Sequence, residues 1–556
     1  MKKLFLAILI LGLLGIAGYG AYRGYVSWRQ HQLVKQARVF IAKPDPKNAL
    51  LCLQRALRAK PGDVEASRLM ADLMEAGRSP SALLWRSRVV ELNPQSVQDR
   101  LALAQTALTM RDLATATNAL EGVAEADKKT ASYHNVAGAA TAAGNRFAEA
   151  EVHFFEAARL EPTNLVFRVN LAVLQLQATN ETKQAAARAA LNQLRADPVM
   201  RCRALRELAA DALRYKQSDT ALALSQELLQ QTNSVFRDRL LRLTVLKETK
   251  SQEFTSALTG FQREAGVDPG KVYELTMWQI ANAAVPQALT WLQSLPRETR
   301  TNQPVALLTA NCQTMLKDWA GLQSSLEPQN WGELDFVRLA FRACALRGQN
   351  LDPAAKAEWE RALIAAGTRR ESLIMLLRLA AQWNWQTEGE GILWTIVNRY
   401  PGEKWASRAL SDVLMAEGRT RPLMMLYSQL ARTTPSDLAA KNNLAVTALL
   451  LNASEMRPHD LAREVHEKAS TNAYYASTYA FSLHLQDKNT EALKVFEKLK
   501  PQELEDPALA AYYGMVLQAT GKGAQAKKYL ELAAKARLLP EEKKLIDKAK
   551  AGLSAR

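Results

Sequence analysis

Residues 135–162 read NVAGAATAAGNRFAEAEVHFFEAARLEP. Within them Ala150 is followed by Phe154 four residues on, Ala157 seven on and Pro162 twelve on, and preceded by Asn135-Val136-Ala137-Gly138 and the turn Gly144-Asn145-Arg146-Phe147. Small and apolar side chains at this spacing share one face of a helix, and the Gly-Asn turn separates that helix from another before it. The segment therefore reads as a helical hairpin. The same ending recurs, with its leading position at Ala49, Ala82, Ala116, Ala150, Ala186, Ala221, Ala257, Ala288, Ala320, Ala355, Gly389, Leu423, Ala462, Ala492 and Ala526. These positions lie about 34 residues apart on average, a period that marks an array of helical hairpins. The interval stretches to 39 between Leu423 and Ala462, around residues 451–458, contracts to 30 before Ala492, and falls to 31 between Ala257 and Ala288.

Gly or polar turns such as Gly77-Arg78, Gly418-Arg419 and Gly521-Lys522 divide the two helices of a hairpin. Pro61, Pro94, Pro162, Pro198, Pro269, Pro401 and Pro435 are expected to stop the second helix, because the residue before a proline is pushed out of the α region. Each hairpin leaves an apolar face that only its neighbours can cover. On these residues, residues 44–538 resemble the tetratricopeptide repeat family, and with the apolar segment described next they are similar to its membrane-anchored bacterial members. The resemblance implies an all-α, right-handed superhelical solenoid of about fifteen helix-turn-helix repeats whose first helices line a concave, protein-binding surface. The expected organisation is a short basic N-terminus (1–3), a transmembrane helix (4–22) and a basic juxtamembrane helix or linker (23–43). An N-terminal repeat array (44–268), a divergent C-terminal array (269–538) and a capping helix with its tail (539–556) complete it.

The chain of 556 residues has a formal net charge of +16, with 48% hydrophobic and 23% charged residues, which excludes general disorder. The excess charge sits at the ends. Residues 1–43 hold seven Lys/Arg and no acid, and the last 22 residues hold seven more against Glu541, Glu542 and Asp547. A near-neutral body between basic flanks argues against a nucleic-acid partner, which would need a basic stripe on the folded surface. Residues 4–22 are uncharged and bracketed by Lys2-Lys3 and Arg23, enough to cross a bilayer once as a helix. Tyr19, Tyr22, Tyr25 and Trp28 gather at the far end, where amphipathic rings favour the interface. A cleaved secretory signal ending near Gly15-Ile16-Ala17 is the competing reading, but the apolar run continues past it. A short basic N-terminus is expected to stay in the cytoplasm, with the repeats in the periplasm; unpaired cysteines point instead to a cytoplasmic-facing array.

Asn135-Val136-Ala137, Asn170-Leu171-Ala172 and Asn443-Leu444-Ala445 fall where the resemblance puts a groove-lining asparagine on a first helix, and Arg203 and Arg206 follow Asn170 by one repeat. In relatives that bind a peptide's C-terminal carboxylate, such residues form a clamp, for which a guanidinium fork is well shaped. Here His134 and Gly138 stand where a basic residue and a second asparagine would complete it, so a polar groove is expected instead. Nine of the eleven tryptophans lie between Trp278 and Trp405. Trp359, four after Ala355, reads as core, whereas Trp383 and Trp385 flank a turn and are expected to be the most exposed of the cluster. Cys52, Cys202, Cys312 and Cys344 are too far apart for a C-x-x-C site, and His459 and His466 lack a zinc spacing. No metal, cofactor or catalytic role is expected. The leading expectation is a membrane-tethered scaffold for a protein or peptide partner, with a second copy of the chain as a further candidate. The alternatives are a glycan-handling factor in envelope polymer export, which an exposed tryptophan groove would favour, and an enzyme of unrecognised type.

Overall fold

The computed structural model describes residues 24–77, 79, 81–327 and 330–554. Residues 4–22 lie outside this set, and among the described residues no helix is long and apolar enough to cross a membrane. The fold is all-helical, without a strand among the described residues, and consecutive helices pair as antiparallel hairpins. The chain divides into two compact units between Trp278 and Gln279.

Local chemistry fixes where helices begin and end. Asp63, Ser96, Asp112, Asn164 and Asn180 cap first or second helices by accepting a backbone N–H in the first turn. Second helices end two residues before Pro61, Pro94, Pro162, Pro401 and Pro435, at Ala59, Leu92, Leu160, Arg399 and Thr433. Pro269 behaves otherwise and opens the helix Pro269–Ala281, where its missing N–H costs nothing.

The turn inside most hairpins carries a regularity that residue types hide. A left-handed residue recurs at Arg111 and Asn145, then at Lys216, Lys250, Ala283, Lys317, Asn350, Asn384, Gly418, Asn452, Asp487 and Gly521, with φ between 52° and 79°. The residue after it donates its N–H back to a carbonyl five residues earlier, as in Arg146 to Thr141 (2.9 Å), Gln217 to Ala212 (2.8 Å) and Trp385 to Ala380 (2.8 Å). This is the Schellman closure of a helix C-terminus. In most hairpins the buried small residue of the second helix lies five positions further on: Ala116, Ala150, Ala221, Ala288, Ala355, Ala492 and Ala526 are all fully buried. Counting five from Lys317 likewise corrects the register at Leu322, and burial alone corrects it in one earlier hairpin. Ala320 is exposed and Leu322 takes its place in the core; in the preceding unit Ala186 is exposed and Ala187 buried. The 39-residue interval is absorbed in one turn, where the 3-10 helix Ser454–Met456 and a second left-handed residue, Arg457, precede Pro458.

In the N-terminal unit, residues 24–42 form a helix joined to Pro46–Ala59 by three residues. Its Val34 and Ala37 share a core with Leu53, Ala56, Leu57, Ala66 and Met70, so this segment is packed into the array and is not a free linker. In the C-terminal unit the closing helix Pro540–Ser554 does more than cover the last hairpin. Glu542 is buried and accepts hydrogen bonds from the Tyr512 hydroxyl and the Leu539 N–H. Beside it Arg537 reaches the Asp412 carbonyl (3.0 Å), and Thr420 bonds Glu541, over a hundred residues away in sequence.

Candidate functional site

Three first helices of the N-terminal unit, Ala131–Ala143, Leu165–Leu176 and Arg201–Arg214, follow one another at nearly the repeat period. Residues at equivalent positions on them stand side by side. Asn170 Nδ2 donates to Asn135 Oδ1 (2.6 Å), and Arg203 Nη2 donates to Asn170 Oδ1 (2.5 Å). The three form a continuous polar ladder, each member half-buried. The Asn170 amide is used on both sides, so the open ends are the Asn135 amide nitrogen and the remaining guanidinium N–H groups of Arg203.

Electrostatics at the Arg203 end are tuned by burial. Partial desolvation lowers the Arg203 guanidinium from its ordinary value, with the nearby Glu207 carboxylate opposing the shift. Glu207, one turn along the same helix, is pushed up by burial against the pull of Arg203, Arg206 and Arg214. A cation and an acid thus share a half-buried strip, each uncomfortable in its charged form. Glu207 was missing from the sequence reading, although its i+4 spacing from Arg203 marks it.

Arg206 does not join the ladder. It turns to the following hairpin and grips Asp238 with two bonds (2.5 and 3.0 Å); that carboxylate is 1% exposed and also accepts the Val235 N–H. Its guanidinium is accordingly raised by Asp238. Arg68 to Asp99 and Arg195 to Glu227 are similar ties between successive hairpins. Asn170 and Arg203 themselves link helices, so neither is free of an interhelix role. Beside Asn135, His134 and His153, which sit on separate helices, meet through their Nδ1 atoms at 3.0 Å, with Tyr133 edge-on to both rings.

Asn443 lies in the other unit, on the helix Leu438–Leu450, and has no part in the ladder. Its Oδ1 accepts from Asn442 (3.5 Å), and its side chain bonds the Tyr427 phenol, which also meets Ser411 Oγ at 2.6 Å. Trp383 and Trp385 bracket the left-handed Asn384 as expected of a turn, yet both are half-buried. Trp383 packs on Phe341 (5.2 Å) and on Trp385 (5.0 Å), which meets Trp359 at 5.4 Å and carries the Arg347 guanidinium 3.8 Å above its ring. A cavity of about 460 Å³ opens beside them, lined also by Trp319, Cys344 and Met315. Trp405 is more exposed than either, and Trp291, Trp331 and Trp359 are core. Most of the cluster is therefore packing, with Trp319, Trp383 and Trp385 showing only their edges in that cavity. The four cysteines are free and buried, with burial pushing the Cys312 and Cys344 thiols up to about 11 and about 12. Among the described residues no group of three or more His, Cys, Asp or Glu could hold a metal ion.

The architecture is therefore an array of helical hairpins carrying a polar strip on adjoining first helices. No family model and no curated protein matches the chain. Among solved structures, a tetratricopeptide repeat protein from Parabacteroides merdae is 15% identical, over 46% of this chain and 99% of that one, with a TM-score of 0.37. PilF from Pseudomonas aeruginosa is 14% identical over 40% and 99%, at 0.32, and MamA from Desulfovibrio magneticus RS-1 is 16% identical over 30% and 92%, at 0.27. Scores of this size carry no argument, and the fold assignment rests on the hairpins and their period.

Proposed function

We propose that the chain is a membrane-tethered scaffold, built of about fifteen tetratricopeptide-like repeats, which holds a protein or peptide segment along the first helices of its N-terminal unit. The observation that carries this reading is the Asn135–Asn170–Arg203 ladder, a row of hydrogen-bonding groups shared by three successive helices and ending in free donors. Such a row suits the carbonyl oxygens of an extended peptide, because amide and guanidinium N–H groups donate to them at regular steps. The role is binding rather than catalysis. Residues 4–22 supply the tether, with the N-terminus in the cytoplasm, the array in the periplasm, and assembly of a cell-envelope complex as the setting.

The test is site-specific photocrosslinking in membranes, with the reactive group at Ala139 or Ala142 on the ladder helix and, for comparison, at Val152 or Phe155, which are exposed on the second helix of the same hairpin. The expected result is one partner captured from the first-helix positions, and lost when Arg203→Gln is added. Capture from Val152 and Phe155 alone would overturn the assignment of the surface.

A further inference from the structure

The first hairpin presents an end unlike the rest of the array. Residues 24–42 carry Arg29, Lys35 and Arg38 and no acid. Tyr25 and Trp28 are 55% and 59% exposed, with ring centroids 6.2 Å apart, whereas Gln30, two residues on, is already buried. Two large aromatic rings held side by side in water, at the point where packing against the array ceases, are costly unless something covers them.

The second helix brings more charge to the same end. A three-residue link and the core shared by Val34, Ala37, Leu53 and Ala56 make the pair antiparallel. At 1.5 Å per residue the helix of residues 24–42 is about 28 Å long and Pro46–Ala59 about 21 Å, so the last turn of the second returns to the level of Trp28 and Arg29. Arg58 is exposed there, and Arg55 is exposed one turn before it, within reach of the same end. The uncharged run of residues 4–22 ends two residues before the first described residue of this helix. If the helix leaves a bilayer there, Tyr25 stands about 4 Å and Trp28 about 9 Å beyond the hydrocarbon, the depth of the headgroup layer.

We propose that this end of the first hairpin, comprising Tyr25, Trp28, Arg29, Arg55 and Arg58, is a lipid-binding surface that seats the array directly on a bilayer containing anionic phospholipid. The proposal rests on the reading of residues 4–22 as a membrane span. Aromatic rings take the interface and the three guanidinium groups face lipid phosphates, each contributing about fivefold to affinity for an anionic surface. Residues 24–42, next to the span in sequence, are packed into the first repeats. The first hairpin is thereby seated on the membrane surface.

The experiment uses the full chain in vesicles of phosphatidylcholine alone or with phosphatidylglycerol, spin-labelled in turn at Leu14→Cys, Trp28→Cys, Arg58→Cys and Val152→Cys. The native thiols are buried and stay unlabelled. The Leu14 label should lie in hydrocarbon and the Trp28 label at headgroup depth. The Arg58 label should lose access to a water-soluble relaxant several-fold when phosphatidylglycerol is present, and regain it when Arg29 and Arg55 are changed to serine. The Val152 label should be indifferent to lipid. If the Leu14 label is in hydrocarbon while the Trp28 and Arg58 labels are as accessible as that at Val152 with both lipids, the seating surface is refuted and the span stands. If the Leu14 label is itself in water, the span and the seating surface both fall.

Discussion

Replacing Asn170 with alanine removes the middle of the ladder and both of its hydrogen bonds. The bond to Asn135 joins neutral groups and is worth about 1 kcal/mol, while that from the Arg203 guanidinium is worth about 1.5–3 kcal/mol. Arg203 is half-buried and regains some water, so the net loss should be about 2–3 kcal/mol. Asn170→Asp should behave differently, because a carboxylate still accepts from Arg203, now with charge assistance, and the Asn135 amide can rotate to donate to it. Its loss should stay under about 1 kcal/mol. In a repeat array one melting temperature does not isolate one region, so the assay is amide hydrogen exchange read by peptide. Asn170→Ala should lower protection of Ala131–Ala143, Leu165–Leu176 and Arg201–Arg214 by about 30- to 100-fold, from 1.4 kcal/mol per tenfold, and leave the C-terminal unit unchanged. Equal protection in wild type and Asn170→Ala would refute the ladder as an energetic link, and so would equal damage from the aspartate variant.

Glycine variants test close packing in the C-terminal unit. A Cβ at Gly514 would lie 2.8 Å from Leu530 Cγ and 3.1 Å from its backbone nitrogen, so Gly514→Val should lower urea stability of that unit by about 3 kcal/mol. Gly260 has nothing within 4 Å, and Gly260→Ala should raise stability of the other unit by about 1 kcal/mol through helix propensity; a loss there would refute the open space. Glu464 is held down to about 2 by Lys441 first and then Lys468, below the ordinary 4.5. Its contribution is complete above about pH 4.5 and disappears as pH falls towards 2; because its side chain is over a third exposed, screening limits it to about 1 kcal/mol. Denaturation of Glu464→Gln against wild type at pH 6 and pH 2.5 should show a gap at the higher pH that closes at the lower, and a gap independent of pH would refute the pairing. Lys216→Gly, Lys250→Gly and Lys317→Gly should each raise the unfolding free energy in urea by up to about 1 kcal/mol, since the left-handed penalty for a side chain exceeds the entropy cost of glycine in the unfolded chain. Destabilisation by all three would show that their side chains matter more than their backbone.

The period was legible because core contacts in a hairpin demand a small residue where helices touch, and that demand recurs. Where alanines crowd together, as at Ala185-Ala186-Ala187, composition cannot say which of them faces inward, and the register slipped by one. At Ala320 it slipped by two, because the inward position is a leucine and the alanine is turned to solvent. The ladder was readable from spacing, since 35 and 33 residues bring Asn135, Asn170 and Arg203 to equivalent places. The fate of Arg206 was not, because its buried partner Asp238 sits one hairpin further on, and nothing in the residue types chooses between two acceptors. Tryptophan exposure misled for a related reason: a turn is open to water only if the neighbouring hairpin leaves it so, and Phe341 and Trp359 do not.

The left-handed residues at the hairpin turns bear on how such a chain can change in length. Arginine, asparagine, lysine, alanine, glycine and aspartate all occupy that place, so what is preserved from one hairpin to the next is a backbone bend, not a side chain. Any two of these bends share one backbone geometry. A deletion running from just after Lys216 through Lys250 would remove 34 residues and unite the start of one turn with the end of its equivalent, leaving every flanking helix in phase. A cut of the same size begun inside a helix would join the same number of residues at a place with no such bend. Gain or loss of a whole hairpin at such a bend would therefore keep the helices in phase, while the ties between neighbouring hairpins, Arg206 to Asp238 and Arg195 to Glu227 among them, would have to be made anew.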